Sequence, residues 1–193
     1  MDSDPGLAPT GELGPGWLPQ ARRRLSPNWD ERPPGIPVDL LVIHGVSLPP
    51  GDFGGPWIDA LFQNRLDPEA HPYFRPIAGL RVSSHLLIHR DGELIQYVDL
   101  HKRAWHAGAS LLHGRSVLNL SSVGVEITGD GNRGPFTRAQ IETVTRLTGV
   151  LTAQFGLEVP WIAGHEHIAP GRKVDPGVLF PWNEVVRRGL TLA

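Results

Sequence analysis

Six ionisable side chains lie within one short segment, residues 164–177, which reads GHEHIAPGRKVDPG. Its glycines and prolines predict an irregular loop that is too interrupted for a helix and too polar for a core strand. His165 and Asp175, ten positions apart on this loop, carry an imidazole and a carboxylate, and both groups suit zinc. The chain has no cysteine, so any metal must be held by histidine, aspartate or glutamate.

A third candidate ligand, His44, directly follows the apolar run VDLLVI, which predicts a buried strand. Trp161–Ala163 predicts a second, short strand that leads to His165. Because the ends of strands in one sheet can meet, we hypothesise that His44, His165 and Asp175 bind one catalytic zinc ion. Such an ion lowers the pKa of its water to about 7 and so supplies a nucleophile. An alternative stays open, in which each histidine is a hydrogen-bonded structural residue at a strand end.

Two charged residues suit the remaining chemistry of a metal hydrolase. Glu126 lies inside the apolar run VGVEITG, where an unpaired carboxylate is costly, and it is a candidate general base. Lys173 lies two residues before Asp175 and is a candidate partner for the negative charge that develops on an attacked carbonyl oxygen. The competing interpretations are a structural salt bridge for Glu126 and a solvated side chain for Lys173.

Other histidines have weaker claims to the site. His167 is two positions from His165 and is an alternative ligand, although a surface or supporting role is the simpler interpretation. His85 and His89 flank the strand-like run LLI, and we interpret them as structural or substrate-facing.

The elements that must position these residues alternate between strand and helix patterns. SSHLLIHRDGELIQYVD predicts a hairpin in which Asp91-Gly92 favours a type I′ turn. Thr137 and Gln140 form a capping box for a helix that ends at Gly156. Together with a closing helix in PWNEVVRRGL, these patterns predict a mixed α/β fold, a central mixed β-sheet flanked by helices.

The Pro- and Gly-rich residues 1–36 predict an N-terminal arm, partly packed on the body through Trp17 and Leu18, and residues 37–193 predict a single catalytic domain. The net charge of −2 and the lack of a basic run interleaved with aromatics argue against nucleic acid. The sequence shows no apolar run that would span a bilayer and no secretory pattern at its start. We therefore expect a cytoplasmic protein with no membrane partner, and we favour a monomer.

Six segments of the chain, taken in their order and spacing, resemble the zinc N-acetylmuramoyl-L-alanine amidases of the amidase-2 and peptidoglycan-recognition type. The resemblance extends from Gly16 to about Trp182, and it rests on HGVSLPPGDFGGPWIDALF, DPEAHPYF, LRVSSHLLIHRDGELIQYV, KRAWHAGAS, SVGVEITG and GHEHIAPGRKVDPG.

The resemblance implies a zinc ion on His44, His165 and Asp175, with Glu126 and Lys173 as catalytic residues. It also implies hydrolysis of the amide between 1,6-anhydro-N-acetylmuramic acid and L-alanine in muropeptides, as part of peptidoglycan recycling. A non-catalytic muropeptide-binding module and an exported wall amidase are the alternatives.

Two positions depart from the pattern of relatives. Ser84 replaces a tyrosine of distant relatives, so the role of base rests on Glu126. Gly45 replaces an asparagine that often follows the first zinc histidine. For the substrate we expect Arg81 to bind stem carboxylates, because a guanidinium is their bidentate partner, and Trp105 to stack on the saccharide or stem; a surface arginine and a core tryptophan are the alternatives.

Overall fold

The computed structural model describes residues 14–192, which form ten strands, four α-helices and three short 3-10 turns. The strands are β1 Arg22–Arg23, β2 Trp29–Asp30, β3 Leu40–Val46, β4 Leu86–Ile88, β5 Leu94–Gln96, β6 Arg103–Ala104, β7 Leu111–Leu112, β8 Arg115–Ser116, β9 Ser122–Thr128 and β10 Ile162–Gly164. The helices are α1 Trp57–Phe62, α2 Arg138–Phe155, α3 His165–Ile168 and α4 Trp182–Leu192, and the 3-10 turns are Pro72–Phe74, Leu118–Leu120 and Val159–Trp161.

Six strands form one sheet in the order β1-β5-β4-β9-β3-β10. The neighbours β4, β9, β3 and β10 run parallel to one another, whereas β5 is antiparallel to β4. The sheet is therefore mixed, as the sequence predicts. Parallel strands place their carboxyl ends at one edge, and β3, β9 and β10 all carry or precede the predicted site residues there.

The two faces of the sheet carry different side chains because successive residues of a strand point to opposite sides. One face, with Leu41 and Ile43 of β3 and Val125 of β9, packs with α2 and α4 into the largest apolar cluster. The other face, with Leu40 and Val42, packs against Ala107, Ile168 and the 3-10 turn at Leu118. His44 and Glu126 share the parity of this second face, so the site lies on the side away from α2 and α4.

Helix α2 begins and ends where the sequence predicts. The Thr137 hydroxyl accepts a hydrogen bond from the Gln140 amide, the Gln140 side chain accepts from the Thr137 amide, and Gly156 closes the helix with a φ of 65°. The Thr137 hydroxyl also donates to the carbonyl of Arg90 at 2.7 Å. The cap therefore joins α2 to the β4–β5 hairpin as well as starting the helix.

The hairpin is present, but its predicted turn type is wrong. A type I′ turn needs positive φ at two consecutive residues, and Asp91 does not belong to the described non-glycine residues with positive φ. Gly92 alone has it, at 89°, and its amide donates to the carbonyl of His89. The three-residue connection with glycine in the left-handed position is the geometry of a hairpin with a G1 bulge.

The segment 164–177 also differs from its prediction. His165–Ile168 form one helical turn, α3, directly after β10, and an irregular loop follows. In the predicted arm, Leu18 is buried, β1 joins the main sheet beside β5, and β2 pairs with β6. Residues 1–13 of that arm lie outside the described residues, and the division of the chain at residue 36 stays a prediction. None of the described helices combines the length and apolar character needed to cross a membrane.

Thr137→Ala is expected to lower the free energy of unfolding by about 1–2 kcal/mol, because the Gln140 amide and the Arg90 carbonyl lose their shared partner. Urea unfolding followed by circular dichroism measures the change. Thr152→Ala is the matched control in the same helix, since the Thr152 hydroxyl has no hydrogen-bond partner among residues 14–192, and a change within about 0.5 kcal/mol is expected. Equal losses in the two variants would contradict the capping role.

Candidate metal centre

Three side chains that are remote in sequence converge at one point of the polar face. The Nδ1 atoms of His44 and His165 are 2.9 Å apart. Asp175 Oδ2 lies 3.4 Å from the first of these nitrogens and 3.2 Å from the second. Both imidazoles are almost completely buried, and the carboxylate is half-buried. The structure therefore brings together the three residues that the sequence analysis selects as metal ligands.

The spacing of these three atoms fits a tetrahedral metal ion. Zinc binds nitrogen and oxygen ligands at about 2.0–2.2 Å, so two ligands of a tetrahedral site lie about 3.4 Å apart. The observed triangle has edges of 2.9, 3.4 and 3.2 Å. Two imidazoles and one carboxylate make a known type of catalytic zinc ligand set, which leaves one position free.

The protonation states point to the same conclusion. A proton on Nε2 of His165 has an acceptor in the Ala107 carbonyl, 3.3 Å away, and with the proton there Nδ1 presents its lone pair. Burial lowers the pKa of His44 to about 4, and this imidazole is neutral at pH 7. Burial also disfavours the charged form of Asp175, but its close contacts with the His165 and His44 imidazoles outweigh burial and hold its pKa below the usual range. A bound cation would satisfy these converging lone pairs.

Each ligand is held by a different part of the fold. His44 lies in β3 and is the register partner of Glu126 in β9. His165 is the first residue of α3, directly after Gly164, which pairs with Ile43 of β3. The parallel pairing of β3 with β10 therefore sets the distance between the two imidazoles.

Backbone hydrogen bonds position the loop that carries Asp175. The Asp175 carbonyl accepts from the amide of Glu166 at 2.8 Å, and the Pro176 carbonyl accepts from Gly131 at 3.1 Å. Gly45 lies under this loop, and a Cβ atom added there would approach the Pro176 Cα to 3.3 Å. The glycine that departs from the pattern of relatives thus lets the Asp175 loop pack directly on β3.

Glu126 lies beside the three ligands, with Oε1 4.0 Å from His44 Nδ1. Burial, and to a smaller extent the Asp175 carboxylate, raise its pKa to about 8, while the Lys173 ammonium acts in the opposite direction. Within residues 14–192, neither lysine nor arginine forms an ion pair with Glu126 at 4.0 Å or less. The structural salt bridge considered from sequence is therefore not observed.

Lys173 lies close enough to the cluster for its charge to lower the pKa values of both His44 and Glu126. Its side chain is half-buried, and its amide donates to the carbonyl of Ala169 at the end of α3. The loop therefore brings a cation to the same region as the partly exposed carboxylate of Glu126.

The two predicted substrate-binding residues lie outside the ligand cluster. Arg81 is exposed, and Trp105 is half-buried with its indole facing the carboxylate of Asp30. The two segments are joined because the Ser83 amide donates to the Trp105 carbonyl at 3.1 Å. Their roles toward a substrate stay predictions.

Two other histidines, His167 and His85, do not belong to the ligand cluster. His167 is not in the cluster, because its Nδ1 accepts from the Gly164 amide and its ring lies against Trp182. His85 is fully buried, with Nδ1 accepting from Gly124 and Nε2 close to the Lys102 carbonyl, and its role is structural.

Sequence reasoning missed His106. Its Nδ1 is 3.0 Å from the Nε2 of His44, and burial holds its pKa well below the usual range. The residue lies in the segment KRAWHAGAS, whose local pattern shows no strand, cap or ligand spacing. Only its position above β9 reveals the contact.

Glu126→Gln is expected to change how the stability of the metal-free protein depends on pH. The folded state retains a proton on Glu126 that the unfolded chain releases above about 4.5, so ionisation removes stability as the pH rises to about 8. The free energy of unfolding of the variant minus that of the native chain should therefore rise between these two pH values and level off above them. Chemical denaturation at several pH values measures it, and a difference that does not vary with pH would contradict the raised pKa.

Comparison with known proteins places this geometry in a family. Residues 34–178 match the Amidase_2 model, described as N-acetylmuramoyl-L-alanine amidase. The 1,6-anhydro-N-acetylmuramyl-L-alanine amidase AmpD of Salmonella typhimurium (strain SL1344) is 51% identical over 167 residues, which cover 86% of this chain and 89% of that protein.

Solved structures agree with the sequence match. The crystal structure of a selenomethionine AmpD derivative superposes with a TM-score of 0.87 at 49% identity and covers 91% of this chain and 98% of that one. The amidase AmiD of E. coli, in complex with anhydro-N-acetylmuramic acid-L-Ala-D-gamma-Glu-L-Lys, has a TM-score of 0.58 at 29% identity and covers 79% of this chain and 57% of that one. The chain belongs to the N-acetylmuramoyl-L-alanine amidase family of the Amidase_2 type.

Proposed function

We propose that this protein is a zinc-dependent amidase that hydrolyses the bond between 1,6-anhydro-N-acetylmuramic acid and L-alanine in muropeptides. The observation that supports it most directly is the convergence of two imidazole nitrogens and a carboxylate oxygen at 2.9–3.4 Å on one buried face. His44, His165 and Asp175 would hold the ion. Bound there, zinc acts as a Lewis acid toward the carbonyl and lowers the pKa of water.

Glu126 is the proposed general base. Its carboxylate, beside the ligands, accepts the proton of the attacking water and later donates it to the leaving amine of L-alanine. The new bond joins the water oxygen to the lactyl carbonyl carbon, and the carbon–nitrogen bond breaks. In the metal-free protein burial raises the pKa of Glu126 to about 8, and a cation bound beside it would favour the ionised form that accepts a proton.

Lys173 is the proposed partner of the developing oxyanion. Its ammonium acts on the same region as Glu126 and His44, and a fixed positive charge in a buried site stabilises charge that appears only in the transition state.

The substrate class follows from the relatives. AmpD is named for the anhydro-muramyl amide, and AmiD binds an anhydro-muramyl tripeptide in its complex. We propose the same soluble muropeptides as substrates here, used in peptidoglycan recycling in the cytoplasm by a monomeric enzyme.

The experiment offers two substrates to the zinc-loaded protein. Soluble anhydro-muropeptide should release anhydro-N-acetylmuramic acid and a free L-alanyl peptide, detected by mass spectrometry, and a chelator should abolish release until zinc is restored. Faster cleavage of insoluble sacculi would support an exported wall amidase instead. Binding without cleavage by zinc-loaded protein would support the non-catalytic module.

Two variants are expected to separate catalysis from metal binding. Lys173→Met should lower kcat by about 100- to 1,000-fold because it removes an oxyanion partner. Glu126→Gln should lower kcat by about 100- to 10,000-fold because the proton acceptor is lost. Zinc content, measured by atomic absorption, should stay at one ion per chain in both. Lys102→Met is the control, since that lysine pairs with Glu31 at the surface; full activity in the Lys173 variant would exclude its role.

Arg81→Leu and Trp105→Ala are expected to raise KM and to change kcat little, because each would remove contacts made equally in the ground and transition states. Steady-state kinetics on anhydro-muropeptides with and without stem carboxylates measure this. The Arg81 effect should disappear when the carboxylates are amidated. An unchanged KM for both variants would leave these residues as a surface arginine and a packing tryptophan.

A further inference from the structure

We propose that His106 is a positioning residue for the metal: it fixes the tautomer and the ring orientation of His44, and Ser122 fixes His106 in turn. This inference rests on the zinc site of the proposed function. His106 is neither a metal ligand nor one of the two catalytic residues. It keeps His44 in the tautomer and orientation that can bind the metal.

The donor and the acceptor of each hydrogen bond follow from the Leu118 carbonyl, which can only accept. The Ser122 hydroxyl oxygen lies 2.7 Å from the Leu118 carbonyl and 3.1 Å from His106 Nε2. The hydroxyl donates its hydrogen bond to the carbonyl, so its oxygen accepts a hydrogen bond from the N–H group at His106 Nε2.

The next hydrogen bond in this series joins His106 to the metal ligand His44. With its proton on Nε2, His106 has an unprotonated Nδ1, which lies 3.0 Å from His44 Nε2. That contact needs a donor, so His44 carries its proton on Nε2. The His44 Nδ1 atom then presents its lone pair to the point where His165 and Asp175 also converge.

The fold is built to receive the His106 ring. Gly124 of β9 lies directly beneath it, and a Cβ atom added there would come within 2.5 Å of the ring's Cγ and 2.6 Å of Nδ1. The His106 and His44 rings meet edge to face, with centroids 5.1 Å apart and an angle of 89° between planes. A side chain at position 124 would displace His106 from this hydrogen bond.

The same short segment serves the second imidazole. The Ala107 carbonyl lies 3.3 Å from His165 Nε2 and can accept a hydrogen bond from a protonated Nε2. The Asn119 side-chain oxygen accepts from the amides of both His106 and Ala107, at 3.2 and 2.8 Å. Residues 106 and 107 therefore fix the proton-bearing nitrogens of the two histidine ligands from one anchored piece of backbone.

Loss of the acceptor at His106 should weaken zinc binding. His44 could then take the tautomer with its proton on Nδ1, and a protonated Nδ1 has no lone pair to offer the metal. Groups that orient a metal-bound histidine typically contribute 10- to 100-fold to metal affinity. His106→Leu removes the acceptor and keeps much of the volume. His106→Asn keeps an acceptor oxygen near the position of Nδ1.

The test measures the zinc dissociation constant by competition with a chromophoric chelator. His106→Leu should raise the constant about 10- to 100-fold, and His106→Asn should stay within about 3-fold of the native chain. A merely structural role would not be rescued by asparagine. His89→Leu, at the β4–β5 hairpin, is the matched histidine control and should leave zinc affinity unchanged.

Ser122→Ala removes the hydroxyl that holds His106 and leaves both imidazole rings unchanged. It should weaken zinc binding in the native background and cause no further loss in the His106→Leu background, because the two residues act through one path. The neighbouring Ser121→Ala, whose hydroxyl binds Arg115 rather than His106, is the control.

The outcomes separate this inference from the proposed function. Native protein that binds no zinc would overturn the zinc site and the inference together. Native protein that binds zinc, with His106→Leu and Ser122→Ala equally tight, would overturn the positioning role alone.

Discussion

The centre of this structure is an electrostatic requirement: two imidazole nitrogens and a carboxylate oxygen converge at one point inside the protein. The nitrogen atoms are 2.9 Å apart and the carboxylate oxygen is within 3.4 Å of both. Unprotonated atoms at these distances repel one another, and a cation bound between them would turn that repulsion into attraction. The parallel pairing of β3 with β9 and β10, and the backbone bonds that hold the Asp175 loop, all act to keep these three side chains in place.

The two faces of the sheet have different roles: one packs into the apolar core, and the other carries the residues of the site. Residues of one parity in β3 and β9 pack with α2 and α4 in the largest apolar cluster. Residues of the other parity include His44 and Glu126, which face the polar side. Because a packed core resists deformation, the strands provide a rigid base on which distances between polar groups are maintained. Glycine is used where another group approaches the sheet closely, at Gly45 beside Pro176 of the Asp175 loop and at Gly124 beneath His106.

The charges around the cluster suit amide hydrolysis. Burial and the nearby Asp175 carboxylate raise the pKa of Glu126 to about 8, and the Lys173 ammonium opposes them. A cation bound at the cluster would shift Glu126 toward the ionised form that a general base requires. His106 and the Ala107 carbonyl contact the Nε2 atoms of the two histidine ligands. A histidine binds a metal through Nδ1 only when its proton is on Nε2, so these contacts favour the metal-binding form.

Much of this protein is determined by local sequence. The apolar run before His44, the capping box at Thr137 and the loop with His165, Lys173 and Asp175 each have a pattern that indicates structure or chemistry within a few residues. The hairpin at Asp91-Gly92 is also visible, but its turn type is not, because the same dipeptide fits both a type I′ turn and a G1 bulge and the strand register decides between them. Likewise, the glycines and prolines of residues 164–177 conceal the single helical turn at His165–Ile168.

What only the tertiary structure decides is proximity and the direction of protons. His44 and His165 are 121 positions apart, and their approach depends on strand pairing that no local pattern encodes. No local structural pattern marks His106 as part of the site, since its importance comes from the Ser122 hydroxyl and His44 beside it. Local propensity acts over a few residues, whereas a metal site is defined by atoms within a few ångströms in space, so the sequence by itself determines the candidate ligands and the fold determines that they meet.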